Sequence, residues 1–339
     1  MTTVDKTSPK TSISKIYMKY IINLIGVAAV YGIVIFLVQR GIIDSYNLRI
    51  LKSAGIFMIA AFGLNLILGF TGQLTMGHAA FMSIGAYFSA VMTQNFNAPF
   101  AISLLVGIIA AGIIAGLIGY PILRLRGDYL AICTLGFGEI IKVVIQNIDY
   151  VGGARGMTSI PVKSSFMIIF FCAAACFALL RNLINTTKGR AIKAIREDEI
   201  AAEAMGINPT RYKMTAFILG SAMAGLAGGL YAHFNTFIDP VTFNYSKSFD
   251  MITYVVLGGM GSLSGTVVGT LLLVILPESL RALAEYRMLI YAVLLVGLMI
   301  FRPSGILGTK EITVKGIINL FKKLGGKGKT TANNGKVGE

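Results

Sequence analysis

Residues able to do chemistry are few in this chain, and their spacing narrows what they can do. Glu139 and Lys142 stand three apart inside an apolar run, so on a helix they share a face and can pair. The other acids nearby, Asp128, Asp149, Asp239, Asp250, Glu278 and Glu285, fall near the ends of apolar runs. A proton or ion relay needs several acids spread over several runs, and Glu139 alone does not make one. The pair reads equally as a structural or a functional element. His78 and His233 lie far apart, with no HExxH pattern or acidic cluster beside either. A lone histidine is more often a hydrogen-bonded structural residue than a ligand or proton switch. Cys133, Cys172 and Cys176 lack CxxC spacing and sit in apolar segments, where small buried residues are expected rather than a metal site or disulfide. Gly328-Lys329-Thr330 ends like a phosphate-binding loop, but Lys323 stands where that loop needs its first glycine, and no strand precedes it. No serine–lysine or paired-aspartate arrangement suggests hydrolysis. The residues do not describe an enzyme, and any ATP that drives this chain must be bound by a partner.

The elements that hold these residues are expected to be membrane spans. The chain has 339 residues, 55% of them hydrophobic and 13% charged, and a mean hydropathy of +0.75. Soluble domains carry about 25% charged residues, so an ordinary soluble enzyme is excluded, and the apolar content excludes disorder. A span takes about 20 residues. Spans are expected near 20–38, 50–69, 78–94, 99–123, 129–147, 164–181, 213–234, 249–264, 266–280 and 287–301. The run 20–38 is too long for a signal-peptide core and lacks a small-residue cleavage site, so it reads as a retained first span. The fold class is therefore all-α, a polytopic transmembrane helix bundle. A charge at mid-bilayer costs about 2.5–3.5 kcal/mol on insertion scales, so Glu139 and Lys142 should face a cavity or a partner.

The net charge of +15 would suggest nucleic acid in a soluble protein. Here the basic residues gather in loops that fall on one side of the expected bundle: Lys6 to Lys19, Arg124 with Arg126, Arg181 to Lys213, and the tail from Arg302. The positive-inside rule makes that side cytoplasmic and both termini with it. The domains follow as a cytoplasmic segment 1–19, a transmembrane unit 20–301 with a cytoplasmic loop 182–213, and a basic tail 302–339. That tail lacks apolar periodicity and is expected to be disordered.

Two segments interrupt the apolar pattern alike. Leu68-Gly69-Phe70-Thr71-Gly72-Gln73-Leu74 precedes Gly77-His78, and Leu257-Gly258-Gly259-Met260-Gly261-Ser262-Leu263 repeats its L-G-x-x-G-x-L pattern. Glycine breaks in corresponding places are where transporters unwind helices and expose backbone to a water-filled path; two tight turns would give the same pattern. Small-xxx-small pairs recur as Gly112 with Gly116, Gly225 with Gly229 and Gly265 with Gly269, which is how helices approach closely in lipid.

The long polar loop contains helix formers from Gly189 to Gly206, with Ala191, Ala194, Ile195, Ala201, Ala202 and Met205 roughly on one face. Gly206 fits a C-terminal cap, and Asn208-Pro209 stops the helix. One short amphipathic helix is expected, lying on the membrane surface or docking into a partner's groove.

Across 55–308 the chain resembles the permease subunits of branched-chain amino-acid ABC importers, of the LivM type. The resemblance is carried by Gly63-Leu64-Asn65-Leu66-Ile67-Leu68-Gly69, Thr71-Gly72-Gln73-Leu74, Gly77-His78-Ala79-Ala80-Phe81 and Gly85-Ala86-Tyr87. It continues in Gly127-Asp128-Tyr129-Leu130-Ala131-Ile132, Thr134-Leu135-Gly136-Phe137-Gly138-Glu139-Ile140-Ile141, Gly152-Gly153, Gly156-Met157 and the loop 189–209. Val256-Leu257-Gly258-Gly259-Met260-Gly261-Ser262, Arg302-Pro303 and Gly305-Ile306-Leu307-Gly308 complete it.

That resemblance implies a subunit of an importer in a bacterial or archaeal plasma membrane. Its partners would be a second homologous permease chain, two cytoplasmic ATPases that bind ATP and Mg, and an extracytoplasmic solute-binding protein. Membrane lipid would surround it; no nucleic acid is involved, and no cofactor or metal belongs to this chain. The loop would couple to the ATPases through Arg190, Ile195, Arg196, Glu197, Glu203, Gly206 and Pro209, with Glu203-Ala204 and Gly206 nearest the importers' Glu-Ala-Ala…Gly loop. Pathway candidates are Asn65, Gly69, Gly72, Gln73, Gly77, His78, Glu139, Gly258 and Gly261. Asp239, Pro240 and Phe243, in the opposite loop, are candidates for binding-protein contact, or a plain connector. Urea and short-amide importers use permeases of similar sequence and are the alternative cargo. A stand-alone carrier would need intramembrane acids that are largely missing.

Overall fold

The computed structural model describes residues 44–125, 127–280, 286–302 and 304–308, with 26, 28, 31–32 and 34–41. The segment 1–19, much of the span 20–38 and most of the tail 302–339 lie outside the described residues.

The polypeptide folds as a helical membrane bundle. Helix α1 (Ser45–Leu64) is apolar on every side beyond its first turns and, from Ala54 onward, buried except at the half-buried Gly55 and Met58, which makes it a core helix. It continues as a π-helical stretch, Asn65–Phe70. Then come α2 (His78–Gln94), α3 (Phe100–Ile122), α4 (Asp128–Gln146) and α5 (Phe166–Asn185). The polar loop forms α6 (Thr187–Glu197) and α7 (Glu199–Ala204). Helix α8 (Pro209–Asn235) returns through the middle of the bundle against α1, α2 and α3, followed by α9 (Tyr245–Gly258), α10 (Leu263–Ser279) and α11 (Arg287–Phe301). Among the described residues, Ser45–Phe70, Phe100–Ile122, Phe166–Asn185 and Pro209–Asn235 are long and apolar enough to cross a membrane. The described turns of the first span bring Tyr31 onto Phe166 of α5, ring centroids 6.2 Å apart.

Small residues set the helix spacing, as expected where lipid removes the hydrophobic drive between helices. The working stripe on α3 is Ser103, Gly107, Ala111, Ala115 and Gly119, all buried, while Ile102, Leu105, Ile109, Ile113 and Leu117 face outward. Gly112 and Gly116, expected to make the close approach, meet only side chains at 3.6–3.9 Å. They sit one residue off the buried row. Three helices converge instead at Gly85, Gly107 and Gly225, where a Cβ on Gly85 would lie 2.1 Å from the Gly225 carbonyl oxygen. The Gly225–Gly229 and Gly265–Gly269 pairs do pack tightly.

Two expected boundaries move. The span drawn over 249–264 ends at Gly258, because Gly259 and Gly261 take φ of 122° and 82° and the Ser262 hydroxyl accepts from the Gly265 N–H at 3.0 Å to start α10. The single amphipathic helix of the polar loop is two. Asp198 leaves helical geometry, and its carboxylate accepts from the N–H groups of Ile200 (2.9 Å) and Ala201 (3.0 Å), capping α7. At the other end of the bundle, an antiparallel bridge between Met157 and Ile238 ties the α4–α5 connection to the α8–α9 connection.

Candidate translocation and coupling site

The two glycine breaks meet in space. Asn65, fully buried at the start of the π-helical stretch, donates from Nδ2 to the Ser262 carbonyl (3.0 Å) and to Thr266 Oγ1 (2.8 Å). Its Oδ1 accepts from the Gly261 N–H at 2.9 Å. The side chain thus satisfies the Gly261 N–H that the second break frees and ties the first break to the start of α10, which is what an interrupted helix inside a membrane requires. Gly69 lies so close that a Cβ there would fall 2.5 Å from Gly261 N. Gly258 packs equally tightly on Gly265.

The first break turns inward after Gly72, with Thr71, Gln73 and Thr75 buried. The Gln73 N–H bonds to the Ile67 carbonyl (3.0 Å), and Thr71 Oγ1 to the same carbonyl. Gly77 abuts the Thr134 backbone of α4, whose hydroxyl accepts from the Met76 N–H at 3.0 Å. His78 opens α2, buried, its Nε2 3.0 Å from the Ala60 carbonyl oxygen. Ser248 of α9 caps the same end by accepting from the Ala79 N–H at 3.0 Å. His233 is likewise held inside, between Thr93 Oγ1 (2.7 Å) and the Gly229 carbonyl (2.8 Å).

Of the pathway candidates, Asn65, Gly69, Gly72, Gly258 and Gly261 come together, with Gln73, Gly77 and His78 on the returning strand beside them. Glu139 stands apart. It pairs with Lys142 on a half-open face of α4. Cys133, expected to be buried, is exposed on α4; Cys176 is buried.

The polar loop lies beneath the joined breaks. Ala191, Ile192, Ile195 and Ala202 face the bundle, whereas Ile200 and Met205 are 72% and 82% exposed. The amphipathic face is therefore divided, because Asp198 rotates α7 relative to α6. Lys193 Nζ sits 5.9 Å from the centre of the Phe70 ring. Arg196 reaches both breaks: a Cβ on Gly72 would lie 3.4 Å from its Cγ, and one on Gly261 would lie 2.6 Å from Nη1. Arg190 bonds locally to Thr187 Oγ1 (3.2 Å), and Glu197 and Glu203 are exposed. Gly206 takes φ of 81°, and Pro209 is buried in the first turn of α8, which Asn208 caps at Arg211 N (3.1 Å). Glu199 pairs with Lys213 at 2.6 Å, bracing α7 against α8.

A family described as "Branched-chain amino acid transport system / permease component" matches residues 46–301. The chain belongs to this permease family. It is 36% identical over 309 residues to the high-affinity branched-chain amino acid transport system permease protein LivM of Salmonella typhimurium, across 80% of this chain and 71% of that one. The Escherichia coli LivM is 35% identical over 307 residues, with the same coverage. The Escherichia coli LivH is 26% identical over 288 residues, across 76% of this chain and 92% of that one. No solved structure matches the chain.

At the far end of the permease, Pro240 and Phe243 are buried, Phe243 against Tyr231 with centroids 5.7 Å apart. Asp239 caps its own turn by accepting from Val241 N at 2.9 Å. Phe243 thus anchors the loop and is not itself open to a partner. A cleft of about 480 Å³ opens nearby, lined in part by Arg49, Lys52, Phe234 and Asn235, with Arg49 5.7 Å from the Phe234 ring centre. Sequence reasoning missed Ser248, Ser262 and Thr266, which satisfy the breaks. Ser262 carried a readable signal, a cap residue directly before an apolar run.

Proposed function

We propose that this permease is one of two membrane subunits of an ABC importer that moves leucine, isoleucine or valine across the plasma membrane of a bacterial or archaeal cell. The names of its relatives, permeases of branched-chain amino acid transport systems, support that cargo over urea or a short amide. Two cytoplasmic ATPases would bind ATP and Mg and hydrolyse the nucleotide, leaving this chain without catalysis of its own. An extracytoplasmic binding protein would deliver the substrate.

The observation that carries the reading, beyond family, is the position of Arg196. ATPases that close on ATP would move whatever α6 and α7 are docked to, and Arg196 bears on both glycine breaks at once. Displacing it shifts the turns at Gly72 and Gly261 together, and Asn65 keeps the breaks in step. The exposed side chains of Ile200 and Met205 offer an apolar contact to the ATPase groove. On the opposite side, Arg49 and Lys52 offer a cationic seat for acidic side chains of the binding protein.

Gentle purification from the native membrane tests the assembly. A second permease and ATPase chains should co-purify, with ATP hydrolysis stimulated by leucine-loaded binding protein. Stimulation by a urea-loaded protein instead would replace the cargo. Recovery of this chain alone, after cross-linking in the membrane, would overturn the importer reading.

A further inference from the structure

Helix α4 buries Leu130, Ala131, Thr134, Phe137 and Ile145 and leaves its other side open, along Ile132, Ile140 and Val143. Gly136 lies on that open side with nothing within 4 Å of where a Cβ would be. On the same helix Glu139 and Lys142 pair, with their side chains 33% and 22% exposed. The neighbouring Gly138 faces the first glycine break, where a Cβ would lie 3.7 Å from Gly77 Cα and 3.9 Å from Ala80 Cβ, and Glu139 and Lys142 lie at the same level of the helix on its more open side.

A lysine near the end of a span usually extends its ammonium toward the membrane surface. Lys142 instead turns back one helical turn to Glu139. Among the described residues neither side chain has another hydrogen bond. The ammonium therefore keeps donors to spare, and the carboxylate keeps acceptors. A charged pair with unused hydrogen-bonding capacity is unsuited to lipid and suited to a water-filled path.

The group that satisfies both residues at once is a zwitterion, its carboxylate on Lys142 and its ammonium on Glu139. An uncharged amide can hydrogen-bond to both groups but neutralises neither charge. Ile140 and Val143, on the open side of the helix, give an aliphatic side chain an apolar wall. The pair also competes with the visitor by binding itself, which keeps the hold weak enough for transit.

We propose that Glu139 and Lys142 form a transit site for the zwitterionic head of the amino acid, with its branched side chain against Ile140 and Val143. This rests on the cargo reading above and adds the residues that meet the cargo.

The whole complex in proteoliposomes, supplied with leucine-loaded binding protein, tests it by uptake and by ATP hydrolysis. Glu139→Gln, Lys142→Met and the double variant are compared. A pair that only holds structure is relieved when both charges go, because no orphan charge remains. A transit site is not. Uptake by the double variant is expected to stay about tenfold or more below wild type, with stimulated ATP hydrolysis retained. Normal uptake by the double variant overturns the pair's role and leaves the importer reading intact. A wild-type complex that imports no branched-chain amino acid overturns both. Should the variants fail to assemble, Cys133 on the same helix serves as a reporter in a Cys172→Ala, Cys176→Ala background. Labelling by a charged thiol reagent, slowed by leucine during turnover, supports the site, and a thiol that stays unlabelled overturns it.

Discussion

Gly72 and Gly261 hold the same position in the two glycine motifs, both with left-handed φ (71° and 82°), and Arg196 lies against both. The relationship joins three segments far apart in sequence. The guanidinium sits by Gly261, just past the C-terminus of α9 at Gly258, while the aliphatic stem lies by Gly72, just past the π-helical stretch that ends at Phe70. Carbonyl oxygens at the end of α9 favour a cation by about 0.3–1 kcal/mol. A single side chain thereby joins the polar loop to both interruptions, and a shift of the loop is felt at both.

Arg196→Ala is expected to uncouple the permease. Basal ATP hydrolysis by the assembled complex should persist, while substrate uptake falls about tenfold, within the usual range of coupling free energies. Arg196→Lys should recover only part, because lysine keeps the aliphatic stem against Gly72 but a compact ammonium does not replace the planar fork at Gly261. Uptake in proteoliposomes, set against hydrolysis in the same vesicles, reads the ratio. Wild-type uptake by the alanine variant would remove Arg196 from the mechanism.

Gly261 and Gly206 separate strain from crowding. Both have left-handed φ, and alanine there costs about 1–2 kcal/mol in backbone terms. Around Gly206 there is open space, whereas a Cβ on Gly261 meets the Arg196 guanidinium. Gly206→Ala should therefore lower the melting temperature slightly and weaken coupling, and Gly206→Asn should be tolerated. Gly261→Ala should abolish coupling. Equal effects of the two alanine variants on uptake would show that the Arg196 contact contributes nothing.

Much of this arrangement was legible in sequence, and for physical reasons. Lipid demands apolar helices, so the spans stood out, and the repeated L-G-x-x-G-x-L pattern marked both breaks. The partnership between them was not legible. Asn65 in an apolar run looks like a pathway-lining polar residue, and only the fold shows its amide spent on Gly261, Ser262 and Thr266. The end of α9 was misplaced because Gly259 to Ser264 is as apolar and small as the helices it separates. The division at Asp198 was written in the chain, since Asp-Glu before Ile-Ala-Ala is an N-cap pattern, but the helix formers on either side concealed it.

Asn65→Ala should destabilise the fold as well as transport. It strands the half-buried Gly261 N–H, and an unsatisfied buried group costs about 1–3 kcal/mol, while the Ser262 carbonyl keeps the Thr266 N–H. The melting temperature of the detergent-solubilised chain should fall by several degrees. Asn65→Gln, longer by one methylene, should not rescue it, because Gly69 leaves no room beside the amide. A variant that melts like wild type would mean that water replaces the amide and that the breaks are wetter than the packing indicates.

Ile200 and Met205 allow docking to be tested apart from folding. Both side chains point away from the bundle, so serine at either position should leave the melting temperature of the isolated chain unchanged. Ile195, buried in the same loop, is the control; Ile195→Ser should lower it. An aliphatic side chain buried in an ATPase groove contributes about 1.5–3 kcal/mol, so Ile200→Ser with Met205→Ser should weaken ATPase binding by tenfold or more. Co-purification from the membrane and titration with isolated ATPase read that loss. Retention of the ATPases by the double variant would move the contact elsewhere on the loop, toward the exposed carboxylates of Glu197 and Glu203. Charge reversal at those two positions would then weaken binding in low salt and be masked as ionic strength rises.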